Sequence, residues 1–89
     1  MNVSYDPAKD RANIRKHGVS LDRMSDFDFA TALIDLDDRF DYGEDRMIAL
    51  GFIEDTLFVA VIVETAEGVR AISLRPAKAR ERRRYAEAP

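Results

Sequence analysis

Near residue 33 the spacing of apolar positions along the chain changes from helical to strand-like. Before it, the punctuation marks a short basic helix. Asp6 suits an N-cap, because its carboxylate accepts from free backbone N–H groups, and Pro7 suits the first helical position. Gly18 suits the left-handed position after the last turn, with Lys16 and His17 facing the negative end of the dipole. Lys9, Asn13 and Lys16 share one face at 3.6-residue spacing, while Ala8 and Ala12 lie near one edge and Ile14 lies apart. So thin an apolar stripe leaves the helix dependent on packing. A second helix is predicted from Ser20, with Val19 stapled against Met24 and with Leu21, Met24 and Phe27 buried. The short connection makes the pair a tight helical hairpin.

From Leu33 the chain reads as strands separated by turns. Residues 33–37 start one, and the stretch Asp41-Tyr42-Gly43-Glu44-Asp45 connects it to a second over 46–53, where Gly51 suggests a bulge. Glu54-Asp55 turns the chain into a mostly apolar, central strand over 56–65. Ala66-Glu67-Gly68 turns it again into 69–75, and Pro76 ends that strand and opens a third helix running through Tyr85. Residues 2–5 suit a short edge strand. Short connections require antiparallel neighbours. The expected fold is therefore α+β, with a helical hairpin and a C-terminal helix on a four-stranded antiparallel sheet.

Eighty-nine residues suit one domain, 1–89, with one modest core. The absence of cysteine excludes a disulfide scaffold and a Cys-based zinc site. The longest apolar run, 57–63, is far short of a membrane span, and no apolar signal segment follows a basic start. A cytoplasmic protein without a membrane partner is expected.

The net charge of −3 conceals segregation. Residues 9–17 hold four Lys/Arg and one acid; 22–45 hold nine acids and two arginines; 75–85 hold six Lys/Arg and one acid. Two basic ends around an acidic middle suit a polyanion if the ends meet in space. Otherwise each run is a solvated face.

The sequence has no P-loop, dinucleotide glycine pattern, His/Cys ligand spacing or nucleophile elbow. Asp35, Asp37 and Asp38 are the best carboxylate cluster, suited to weak Mg²⁺ binding or, better, to solvating an edge strand. No metal site and no cofactor are expected. His17 titrates near neutral pH and suits a general acid or base, although its place at a helix C-terminus also explains it structurally. The stronger constellation is Arg70, Arg75, Arg80, Arg82, Arg83, Arg84 and Tyr85. Guanidinium groups stabilise phosphodiester oxygens in bidentate geometry, and Arg80, Arg83 and Arg84 can share a helical face. Tyr85 either stacks on an unpaired base or anchors the last helix to the sheet.

Several separated motifs agree with one family. Tyr5-Asp6-Pro7-Ala8-Lys9, Lys16-His17-Gly18-Val19-Ser20, Gly43-Glu44-Asp45-Arg46, an apolar strand ending at Thr65, Ile72-Ser73-Leu74-Arg75, and Glu81-Arg82 before Tyr85 follow one another in order. Together the chain resembles BrnT-type toxins of bacterial toxin–antitoxin pairs. It departs from the pattern at Leu74, where a small residue is usual, and at Pro76, where a basic or polar one is common. The resemblance implies a RelE-like ribonuclease fold, RNA cleavage that inhibits translation, and a BrnA-type ribbon-helix-helix antitoxin through which alone operator DNA is bound. Cleavage of RNA without a metal needs a base for the 2′-hydroxyl, cations on the phosphate and an acid at the leaving oxygen. Arg75 and Arg70 are the candidate phosphate stabilisers. Lys9, Lys16, Arg80, Arg83 and Arg84 are candidate RNA contacts, and His17, Glu54 and Tyr85 compete for the acid–base roles. A non-catalytic RNA-binding or protein-interaction module on the same scaffold is the alternative.

Overall fold

The computed structural model describes residues 2–39 and 41–89. Its elements run β1 (Asn2–Ser4), α1 (Pro7–His17), a 3₁₀ helix (Leu21–Asp26), β2 (Leu33–Asp37), β3 (Arg46–Ile53), β4 (Thr56–Glu64), β5 (Gly68–Pro76) and α2 (Ala79–Glu87). The strands form one five-stranded sheet in the order β1-β5-β4-β3-β2. β2 to β5 are an antiparallel meander, whereas β1 runs parallel to β5, pairing Asn2 with Gly68 and Ser4 with Arg70. The α+β class stands, but a mixed sheet of five strands replaces the expected antiparallel sheet of four. The orientation of β1 is set by a contact between the two ends of the chain, which local periodicity does not report. Gly68 permits that contact: a Cβ there would lie 2.0 Å from the Asn2 carbonyl oxygen.

Both expected ends of α1 are present. The Asp6 carboxylate accepts from Ala8 N–H at 2.8 Å, and Gly18, at φ 73°, donates to the Ile14 carbonyl. The second helix is a six-residue 3₁₀ turn, so the paired α-helices of the expected hairpin are not formed. Its cause is legible in hindsight: Leu21, Met24 and Phe27 recur every three residues, the period at which side chains of a 3₁₀ helix eclipse. Asp10 ties it to α1 by accepting from Ser20 Oγ and Leu21 N–H at 2.9 and 2.7 Å.

One face of the sheet carries the larger core, with Leu21, Met24 and Phe27 against Ile53, Phe58, Ala60, Ile62 and Leu74. The other face holds Leu50, Leu57 and Val59 under Ala77 and Tyr85. Gly51 pairs with Phe58 in regular register, so it marks no bulge; a Cβ there would lie 2.7 Å from the ring of Phe27. The bulge lies in β5, where Val61 pairs with Ser73 and Ile62 with Ala71, leaving Ile72 extra. Pro76 is the last residue of β5, opposite Phe58, and α2 starts only at Ala79.

Candidate active site

The two basic ends of the chain meet in one groove of about 780 Å³, floored by Ile48, Val59, Val61 and Ile72 on the second sheet face. Along one side α1 contributes Lys9, Asn13, Lys16 and His17; opposite stand Arg75, Lys78, Arg80, Glu81 and Arg84, with Arg39 from the loop after β2. Seven Lys/Arg side chains thus surround one carboxylate.

Asn13 fixes α1 at this position. β1 covers only the start of β5, and beyond it the open strand edge is met by a side-chain amide. Asn13 Nδ2 donates to the Leu74 carbonyl at 2.8 Å, and Leu74 N–H donates to Asn13 Oδ1 at 3.1 Å. Nδ2 also donates to the Val19 carbonyl at 2.8 Å, holding the corner that carries His17.

The bulge decides which side chains of β5 enter the groove. Val69 and Ala71 face the larger core, and unbroken alternation would send residues 73 and 75 there too. The extra residue reverses the phase, so Leu74 turns inward and Ile72, Ser73 and Arg75 line the groove.

Arg75 is only partly exposed and its orientation is fixed by Glu81. Nη1 and Nη2 donate to Oε1 and Oε2, both at 2.8 Å, and Nη1 also donates to the Pro76 carbonyl at 3.3 Å. The Arg75 bonds, with help from the Lys78 N–H, hold the Glu81 carboxyl at about 2 and raise the guanidinium further above its ordinary value. Of the five Arg75 donors, the Nε–H and the second Nη2–H remain, a side-on fork able to take two oxygens of a phosphate. Partial burial, with Lys16 and Arg75 nearby, lowers the His17 pKa from 6.5, so the imidazole is neutral at pH 7.

Of the sequence candidates, the groove brings together His17, Lys9, Lys16, Arg75, Arg80 and Arg84. Arg84 also pairs with Asp35, and Arg83 lines a neighbouring depression beside β2. Arg70 lies elsewhere. It is five residues from Arg75, about 16 Å along an extended strand, and its Nη2 donates to both Glu44 oxygens at 2.8 Å. Glu54 is exposed in the β3–β4 turn, at φ 53°, and does not line the groove. Tyr85 anchors α2: its hydroxyl donates to the Thr31 carbonyl at 2.8 Å and its ring meets Phe52 edge-on at 5.3 Å. Asp37 is buried rather than solvating an edge. It accepts from Arg39 Nε and Nη2 at 2.8 and 3.0 Å and from the Tyr42 hydroxyl at 3.2 Å. Among the described residues no three His, Asp or Glu side chains stand together as metal ligands.

Sequence reasoning assigned no role to Asn13, Arg39, Ser73 or the orienting carboxylate of Glu81. The Glu81–Arg75 pairing spans two elements, and only the stepped phase of apolar residues around 71–74 could have signalled the bulge.

A family model described as "Ribonuclease toxin, BrnT, of type II toxin-antitoxin system" matches residues 5–81. The chain belongs to this family of BrnT ribonuclease toxins. The match takes in the whole groove except Arg84. The crystal structure of the Brucella abortus ribonuclease toxin BrnT superposes with a TM-score of 0.70. That alignment covers 88% of this chain and 97% of the other at 22% identity, which establishes the shared fold. No curated protein matches the chain. Membership implies an RNA target and an antitoxin partner. No helix among the described residues is long and apolar enough to cross a membrane.

Proposed function

We propose that this BrnT-family protein is a cytoplasmic, metal-independent endoribonuclease that inhibits translation by cutting RNA in the groove between α1 and α2, and that a BrnA-type antitoxin neutralises it. The supporting observation is the convergence of both basic ends around one neutral histidine. In this reading the unprotonated His17 nitrogen takes the proton of the 2′-hydroxyl as its oxygen attacks phosphorus. The side-on fork of Arg75 holds the nonbridging oxygens, while Glu81 keeps that fork turned toward them. The bond to the 5′ oxygen breaks and the oxygen takes a proton from Lys16, leaving a 2′,3′-cyclic phosphate and a 5′-hydroxyl. The flanking lysines and arginines bind the RNA backbone on either side.

The test is cleavage of RNA by purified protein in excess EDTA, with both product ends identified. Activity in EDTA that yields 5′-hydroxyl ends supports the reading. Activity that disappears in EDTA and returns with Mg²⁺ would overturn it and direct attention to the carboxylates.

A further inference from the structure

None of the carboxylates in the acidic middle of the chain lines the groove, and the fold gathers several of them beside exposed apolar side chains at the β2 end of the sheet. On the face opposite the groove, Leu36 pairs across the strands with Met47, and Met47 with Ile62. Ile34, Met47, Ile62, Val69 and Phe29 line an apolar cleft of about 370 Å³ whose one charged side chain is Glu64. Ile34 and Leu36, two residues apart on one face of β2, are 44% and 61% exposed, so the cleft continues as an exposed apolar patch. Leu36 also borders a depression of about 460 Å³ lined by Asp38, Asp41 and Asp45. Among the described residues none of these three carboxylates makes an ion pair, whereas Asp37 and Glu44 beside them are paired with arginines. Leu36 therefore stands at the junction of an uncovered apolar cleft and an uncompensated negative field.

We propose that this surface is the docking site of an amphipathic helix of the protein antitoxin, apolar on one side and bearing Lys or Arg at its flank. Charge complementarity selects the occupant, because a second copy of this chain would bring its own acidic loop against the first. The cleft crosses from β2 to β5, three strand spacings or about 14 Å. That length suits a helix of about nine or ten residues, with anchors at i, i+3 or i+4, and i+7. The surface lies on the other side of the sheet from the groove, so anchoring is separable from covering the RNA site. The proposal takes its partner from the family and is independent of how RNA is cut.

The test uses the cognate antitoxin that family membership implies and measures its affinity for the wild type, Leu36→Lys and Ile34→Lys. Both side chains are exposed, so melting temperature and RNA cleavage by the free variants are expected to match wild type. Each variant is expected to lose at least tenfold in antitoxin affinity, an effect greater than that of Lys16→Ala in the groove. Undiminished binding by both variants would overturn the proposal. So would a wild-type homodimer that Leu36→Lys dissociates, because the occupant would then be a second copy. Wild-type protein inert on RNA, with binding still lost in the variants, would refute the cleavage mechanism and leave this surface standing.

Discussion

Replacing Asn13 tests the link between fold and site most directly. Its amide makes three hydrogen bonds, two of them to the buried Leu74 peptide groups at an otherwise open strand edge. Asn13→Ala removes all three partners, and at about 1 kcal/mol each the loss is about 3 kcal/mol. A small domain has about 5–15 kcal/mol in total, so the urea midpoint falls sharply and Tm drops on the order of 15 °C. Asn13→Asp separates hydrogen bonding from shape. Its carboxylate can still accept from Leu74 N–H but faces the Leu74 and Val19 carbonyls with no proton to donate. At pH 7 it is therefore expected to be less stable than Asn13→Ala. Protonation restores a donor, so the folded-state pKa of the new carboxyl is raised and Asn13→Asp regains stability relative to wild type as pH falls through it. Urea unfolding at pH 7 and pH 5 measures both effects. An Asn13→Ala midpoint within about 1 kcal/mol of wild type, or Asn13→Asp equal to wild type at pH 7, would refute the strand-edge argument.

His17→Gln is expected to slow RNA cleavage by about a hundredfold or more with Tm unchanged. Because the His17 pKa is lowered, the wild-type rate rises with pH to a plateau, with its half-maximal point below pH 6.5, a profile absent from the variant. Glu81→Gln loosens the Arg75 fork and is expected to lower kcat by about tenfold, against about a hundredfold for Arg75→Ala; equal activity in wild type and Glu81→Gln would show that Arg75 needs no orientation. The depressed carboxyls of Asp37 and Glu81, both at about 2, contribute stability that is present above about pH 4 and lost as pH falls toward 2. Acid unfolding of Asp37→Asn is expected to depend less steeply on pH across that window. Tyr85→Phe keeps the ring against Phe52 and loses the bond to Thr31, so it is expected to cost about 1 kcal/mol and to leave RNA cleavage intact.

Features that depend on neighbouring residues were legible in the sequence. Asp6, Pro7 and Gly18 marked α1, and the turns at Glu54-Asp55 and Ala66-Glu67-Gly68 marked the antiparallel meander, because each acts within a few residues. Features set by contacts between distant segments were not. β1 has three residues, and only its pairing with the strand that starts at Gly68 makes the sheet mixed. The charge runs left open whether the two basic ends meet, and charge has no direction. It could not separate Arg75, turned into the groove, from Arg70, bonded to Glu44 at the other end of the strand. Tyr85 carried two sequence readings, and its contacts are those of an anchor.

The bulge connects these cases. Arg70 and Arg75 are separated by an odd number of residues and would point to opposite faces of a regular strand. In the regular phase Arg75 would enter the larger core, its charge unpaired among apolar side chains, while Leu74 would turn to the groove side of the sheet. Burying an unpaired guanidinium costs several kcal/mol, more than the ladder hydrogen bonds that one extra residue disturbs. The sequence order Ala71-Ile72-Ser73-Leu74-Arg75 thus drives the slip: two core residues three positions apart, and a cation immediately after the second. Once the slip has occurred, Leu74 presents its outer N–H and carbonyl to Asn13, and α1 docks with His17 over the groove. The irregularity that keeps a charge out of the core therefore also brings Arg75 and His17 into the same groove, through adjacent residues of one strand.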